Sequence, residues 1–173
     1  MSRPLRIMLS VVLSLAFLLV NAPAQATALV TVLRYDAGRA AEFSATIDQA
    51  AQVWNANVVN VRLVRGTPAH FVVYADNGWP RALPTSLGRG TIWMGRQAVN
   101  QGYYPLRIAT HEIGHILGLP DRRTGLCSDL MSGSSAPVSC RNATPSAAER
   151  AAVDRNFAGG TPQVEFGRLY EER

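Results

Sequence analysis

His111-Glu112-Ile113-Gly114-His115 sets two imidazoles at positions i and i+4. On a helix both would project from one face and could share one zinc ion. Glu112 leaves the helix at another azimuth but stays beside the metal, where a carboxylate can take a proton from an activated water and pass it to a leaving amine. Gly118 can let the chain turn out of the helix at positive φ, and Asp121 can then return a carboxylate as third ligand. The pattern H-E-x-x-H-x-x-G-x-x-D therefore supplies His111, His115 and Asp121 as ligands for one catalytic zinc ion. Three protein ligands leave a fourth position for water, whereas a structural site is closed by four. Asp121 also neutralises part of the metal charge, which makes the base Glu112 more important. His70 begins a strand outside this helix-turn unit and is not expected to take part.

The elements that must hold these residues can be read from periodicity. Residues 29–34 read as a strand broken at Asp36-Ala37-Gly38, and Phe43, Ile47, Ala50 and Trp54 recur at helical spacing over about residues 40–54. Strands follow at 59–63 and 70–74, then a loop from Asn77 to Gly90 and a short strand at 91–94. The helix with the histidines runs from about Pro105, suited to a first turn, to Leu117. Residues 121–144 show no periodicity and form a candidate functional loop. Ser146 and Glu149 make a capping box for a last helix ending near Gly159-Gly160. The tail, residues 161–173, is polar and expected to be loosely held.

Composition narrows the class. The chain has 173 residues, 47% of them hydrophobic and 17% charged, which suits one compact domain and excludes a disordered tail. Arg3 and Arg6, an apolar run from Ile7 to Val20 and Ala24-Gln25-Ala26 have the order of a secretory signal peptide over residues 1–26. The run is shorter than the ~20 residues a membrane-crossing helix needs, so no stable membrane association is expected after signal removal; an uncleaved anchor is the alternative. Removing Arg3 and Arg6 from 17 basic residues leaves +3 against 12 acids, spread without a basic run, which argues against nucleic acid as partner. Cys127 and Cys140, the two cysteines of an exported chain, most simply pair with each other; a thiolate zinc site lacks nearby partners.

With these motifs in place, the chain resembles the snapalysin family, small secreted bacterial neutral metalloproteases among the metzincin-like zinc peptidases. His111 to Asp121 matches the family's zinc signature, Cys127-Ser128-Asp129-Leu130-Met131-Ser132-Gly133 its methionine turn, and Cys140 its disulfide partner. The likeness runs from about Val30 to Gly159 and includes Ala51-Gln52-Val53-Trp54-Asn55 and Gly88-Arg89-Gly90. It implies an α+β, metzincin-like fold with a twisted mixed sheet and backing helix above a zinc helix, an irregular methionine-turn region and a C-terminal helix. It also implies that Met131 forms an apolar floor under the metal, and that an aromatic residue is favoured just after the scissile bond. The chain departs from the family twice. Arg123 stands where a tyrosine would help stabilise the oxyanion, so Arg123 is a candidate donor in its place, against a solvated loop charge. Tyr104 and Leu106 stand where calcium ligands would be expected, and neither suits calcium.

The resulting expectation is a secreted, monomeric zinc endopeptidase domain at residues 27–160, acting on protein or peptide substrates with zinc as its cofactor. The alternatives are a secreted zinc-binding or envelope-binding module without turnover, and a zinc hydrolase of a non-peptide amide. Retention of Glu112 favours an enzyme, since a binding site needs no base. No cysteine precedes Cys127, so a cysteine-switch propeptide is not expected.

Overall fold

Alternating burial builds the first strand, β1 (Thr31–Arg39), in which Leu33, Tyr35 and Ala37 point into the core while Val32 and Arg34 face solvent. The computed structural model describes residues 29–172, so the signal-type segment at 1–26 lies outside the described residues. Asp36-Ala37-Gly38 does not end β1 as expected. The register against its neighbour shifts between Asp36 and Arg39, and the Gly38 N–H donates to Asp36 Oδ1 at 2.7 Å, so the irregularity is absorbed as a bulge.

Helix α1 (Ser44–Asn57) buries Ile47, Ala50, Ala51 and Trp54, the predicted stripe, after a short 3-10 turn at Ala41–Phe43. Strands β2 (Val61–Arg65) and β3 (Phe71–Asp76) flank β1, both parallel to it. The expected loop before residue 91 is instead a hairpin of β4 (Arg81–Ser86) and β5 (Arg89–Gly95). Pro80 and Pro84 hid β4 in the sequence, because proline lacks the N–H of a ladder. The sheet tolerates it there, since β4's outer neighbour is only the two-residue β6 (Tyr170–Glu171). The sheet order β2-β1-β3-β5-β4-β6 mixes parallel and antiparallel pairs, so the architecture is α+β with a mixed sheet.

After the short α2 (Arg96–Asn100) comes α3 (Pro105–Ile116), in which every residue from Arg107 to Ile116 is buried. Its apolar residues Ala109, Ile113 and Ile116 join the core with Ile47, Phe71, Ile92 and Met94. Trp54 Nε1 donates to the Thr110 carbonyl at 2.9 Å and ties α1 to α3. Gly118 ends the helix at φ 92°, as expected; a Cβ there would sit 2.6 Å from Asn156 Nδ2 on α4 (Ala147–Phe157). The capping box of Ser146 and Glu149 is formed.

The tail corrects the sequence reading. It is not loose: β6 pairs antiparallel with β4, and Tyr170 and Glu172 are buried. Backbone pairing and a buried carboxylate hold it, which composition alone does not register. No helix among the described residues is long and apolar enough to cross a membrane.

Candidate metal centre

The backbone sets the tautomers of both histidines on α3. His111 Nδ1 lies 3.0 Å from the Leu130 carbonyl and His115 Nδ1 2.8 Å from that of Leu119. A carbonyl can only accept, so each Nδ1 carries the proton and each Nε2 is left with a lone pair. The turn at Gly118 brings Asp121 Oδ1 to 3.3 Å from His111 Nε2 and 3.5 Å from His115 Nε2. A tetrahedral zinc site with bonds of ~2.0–2.1 Å has edges of roughly 3.3 Å, so these spacings fit one ion.

A fourth group joins them. Glu172, from the tail, places Oε1 3.0 Å from His111 Nε2, and one ligand atom from each of His111, His115, Asp121 and Glu172 lies within 4.8 Å of the others. His111 Nε2, His115 Nε2, Asp121 Oδ1 and Glu172 Oε1 are buried without a hydrogen-bond partner. Buried polar atoms are costly when left unsatisfied, and four converging on one point are the donor set of a cation. Two imidazoles with carboxylates suit zinc.

Electrostatics agree. Burial opposes a charge on His111, yet the adjacent Glu172 and Asp121 carboxylates outweigh it and raise its proton affinity well above the ordinary value. At His115 burial prevails and the pKa falls. Burial disfavours the Asp121 carboxylate too, but contact with both imidazoles holds it well below the usual range. Glu112 is 0% exposed and neither of its oxygens has a hydrogen-bond partner. Burial, reinforced by the Glu172 and Asp121 charges, lifts it well above the carboxylate range.

Residues 29–160 match the Streptomyces extracellular neutral proteinase (M7) family. The chain belongs to that family. The resemblance read from the zinc signature is borne out. An "Extracellular small neutral protease" of Streptomyces coelicolor is 43% identical over 140 residues, covering 79% of this chain and 64% of that protein. Its namesake from Streptomyces sp. (strain C5) is 42% identical over 139 residues, 79% of this chain and 60% of that protein. The chain thus spans about three-fifths of these relatives' length. The namesake from Streptomyces caespitosus is 43% identical over 128 residues, covering 73% of this chain and 96% of that one. Among solved structures, high choriolytic enzyme 1, a hatching enzyme zinc-protease of Oryzias latipes, aligns with a TM-score of 0.41 and 23% identity over 55% of this chain and 47% of its own.

In this neutral proteinase family member, the irregular segment after Asp121 is ordered by two buried charges. Arg107 on α3 donates to the carbonyls of Cys127 (3.2 Å), Asp129 (2.6 Å) and Asn142 (2.7 Å). The Glu149 carboxylate accepts the N–H groups of Met131 (2.7 Å) and Leu130 (3.2 Å) while also capping α4 through Ser146 N–H (2.6 Å). Leu130–Ser135 forms a 3-10 segment that turns Met131 under α3 at 1% exposure, and Cys127 and Cys140 are bonded. Arg123 is exposed, but its guanidinium is engaged by its neighbours. Its guanidinium donates to Ser134 Oγ (2.7 Å) and the Glu171 carbonyl (3.2 Å), and lies 3.5 Å from both Asp121 Oδ2 and Glu172 Oε1. His70 stands apart from the cluster, with Nδ1 accepting the Arg34 N–H at 2.9 Å. Beside His111 opens a small, open, largely apolar recess walled by Trp79, Tyr103, Tyr104 and Ile108.

Sequence reasoning missed Glu172, Arg107 and the second role of Glu149. Ser146 and Glu149 gave a signal for the cap but none for the loop. Glu172 gave none, since an acid in a polar tail looks solvated.

Proposed function

We propose that this protein is a secreted zinc-dependent endopeptidase. The observation that carries the reading is the convergence of His111, His115 and Asp121, with Asp121 Oδ1 3.3 and 3.5 Å from the two Nε2 atoms, beside a fully buried, partnerless Glu112. Zinc, when bound there, acidifies a water and polarises the scissile carbonyl. Glu112 takes the proton of the attacking water and delivers it to the amine nitrogen as the peptide bond breaks. Its dry surroundings suit that task, because burial raises the proton affinity of the carboxylate and so strengthens it as a base. Arg123 reaches the same side of the cluster and stabilises negative charge on the carbonyl oxygen. Tyr103, Tyr104 and Trp79 offer an aromatic side chain a stacking recess next to His111, which supports a preference for an aromatic residue after the scissile bond. Export is supported by the signal-type segment at 1–26 and by relatives named as extracellular.

A second reading has one observation in its favour. Glu172 brings the donor count to four, as in a closed binding site without turnover. Hydrolysis of casein that a chelator abolishes and zinc restores is the expected result. Stoichiometric zinc with no hydrolysis of casein or gelatin, in the parent and in the Glu172→Ala variant described below, would overturn the peptidase reading.

A further inference from the structure

A sheet edge beside a reactive centre is a natural rail for a peptide, which adds to it as one more strand. The outer edge of β4 lies next to the metal cluster, and here it is already taken by the chain itself. The Glu172 N–H donates to the Pro80 carbonyl at 3.0 Å and the Gly167 N–H to that of Pro84 at 2.8 Å. Between them Tyr170 opposes Ala82 and Glu171 opposes Arg81 in an antiparallel pair. The Tyr170 ring stacks on His115 with centroids 4.5 Å apart. Glu172 Oε2 accepts the Ser134 N–H directly over Gly133, where any Cβ would collide with the carboxylate.

We infer that residues 161–172 are a built-in, displaceable occupant of the peptide cleft: β6 takes the strand position of a substrate, and Glu172 gives the metal its fourth donor. In the docked state the chain is latent. The inference rests on the peptidase reading for what is inhibited, but not for what binds. A centre with His111, His115 and Asp121 is open at one position, and Glu172 Oε1 stands 3.0 Å from His111 Nε2, at the spacing of a ligand.

The tail is ordered, but pairing and polar contacts hold it more than apolar burial does. Phe166 (40% exposed) and Leu169 (47%) face solvent, so little apolar burial holds it beyond Val164 and Tyr170. Segments with few buried contacts open at low free energy and can exchange with a competing strand. The tail also lies beyond the residues matched to the family, so it can vary without touching the zinc signature.

Docking and metal binding are linked. If Glu172 ligates the ion only when the tail is docked, one equilibrium constant sets both the gain in zinc affinity and the loss of turnover. The test compares the parent with Glu172→Ala and with Tyr170→Ala, which weakens the strand but keeps the carboxylate. Zinc affinity is measured by competition with a chelating dye, the visible absorption of the cobalt-substituted protein reports the ligand set, and a peptide substrate reports turnover. Glu172→Ala should weaken zinc about tenfold or more, raise kcat/KM by a similar factor, and shift the cobalt spectrum. Tyr170→Ala should move all three in the same direction but less. A peptide of residues 161–173 added in trans should inhibit Glu172→Ala. Unchanged zinc affinity and cobalt spectrum in Glu172→Ala would overturn the inference, as would loss of turnover in a variant still saturated with zinc that the parent surpasses. If zinc affinity and spectrum shift while neither protein cleaves any substrate, the docked ligand stands and the peptidase reading falls.

Discussion

Met131 packs against the one position of the zinc helix that lacks a side chain: a Cβ on Gly114 would lie 2.7 Å from Met131 Sδ. Gly114 falls between His111 and His115, so the methionine supports the helix just where the two imidazoles leave it. Gly114→Ala gains roughly 1 kcal/mol of helix propensity but loses about 1–3 kcal/mol to overpacking. The expected net is a lower melting temperature and weaker zinc binding, with Met131→Leu nearly neutral. A Gly114→Ala protein of higher thermal stability and unchanged zinc affinity would show that the floor yields.

Glu112→Gln keeps the size of the side chain and removes the base. Zinc content should stay stoichiometric while kcat falls roughly 100- to 10,000-fold. Metal analysis of the folded variant decides the role, because an emptied site would make Glu112 a ligand instead.

Asp121→Ala removes a donor shared between two imidazoles 3.3 and 3.5 Å away. Zinc should bind more weakly and activity should vanish at low zinc. Equally tight, stoichiometric zinc in that variant would take Asp121 out of the ligand set.

Arg123 touches both Asp121 and the tail, so its role must be read with the tail disabled. In the Glu172→Ala background, Arg123→Ala should lower kcat about 10- to 1000-fold with little change in KM, and Arg123→Tyr should restore part of it. Arg122→Ala should do almost nothing. Equal kcat with and without Arg123 from pH 6 to 9 would leave Glu112 and the metal to act alone.

Reducing the Cys127–Cys140 bridge should impair activity more than it unfolds the protein. The bridge closes the methionine-turn region, while α1, α3 and the sheet lie outside it. Chain entropy assigns it about 3 kcal/mol, and Arg107 still holds the Cys127 and Asn142 carbonyls after reduction. Circular dichroism and peptidase assays on the reduced protein should therefore diverge; coincident loss would make the bridge global.

What the sequence determined by itself is whatever depends on neighbours along the chain. Helical spacing placed His111 and His115 on one face, Gly118 ended the helix, Asp121 followed from the turn, and Ser146 with Glu149 announced a cap. Tertiary structure decided what depends on meetings between distant segments. Pro84 concealed β4 because a strand near a sheet edge does without one N–H, a tolerance no local pattern reveals. Arg107 and Glu149 became the fasteners of the methionine turn only because the fold buried them against its backbone. Glu172 is the clearest case. A glutamate in a polar tail has no periodicity to betray it, and it meets His111 only because β6 adds to the edge of β4 and carries the carboxylate into a buried cluster of unpaired donors.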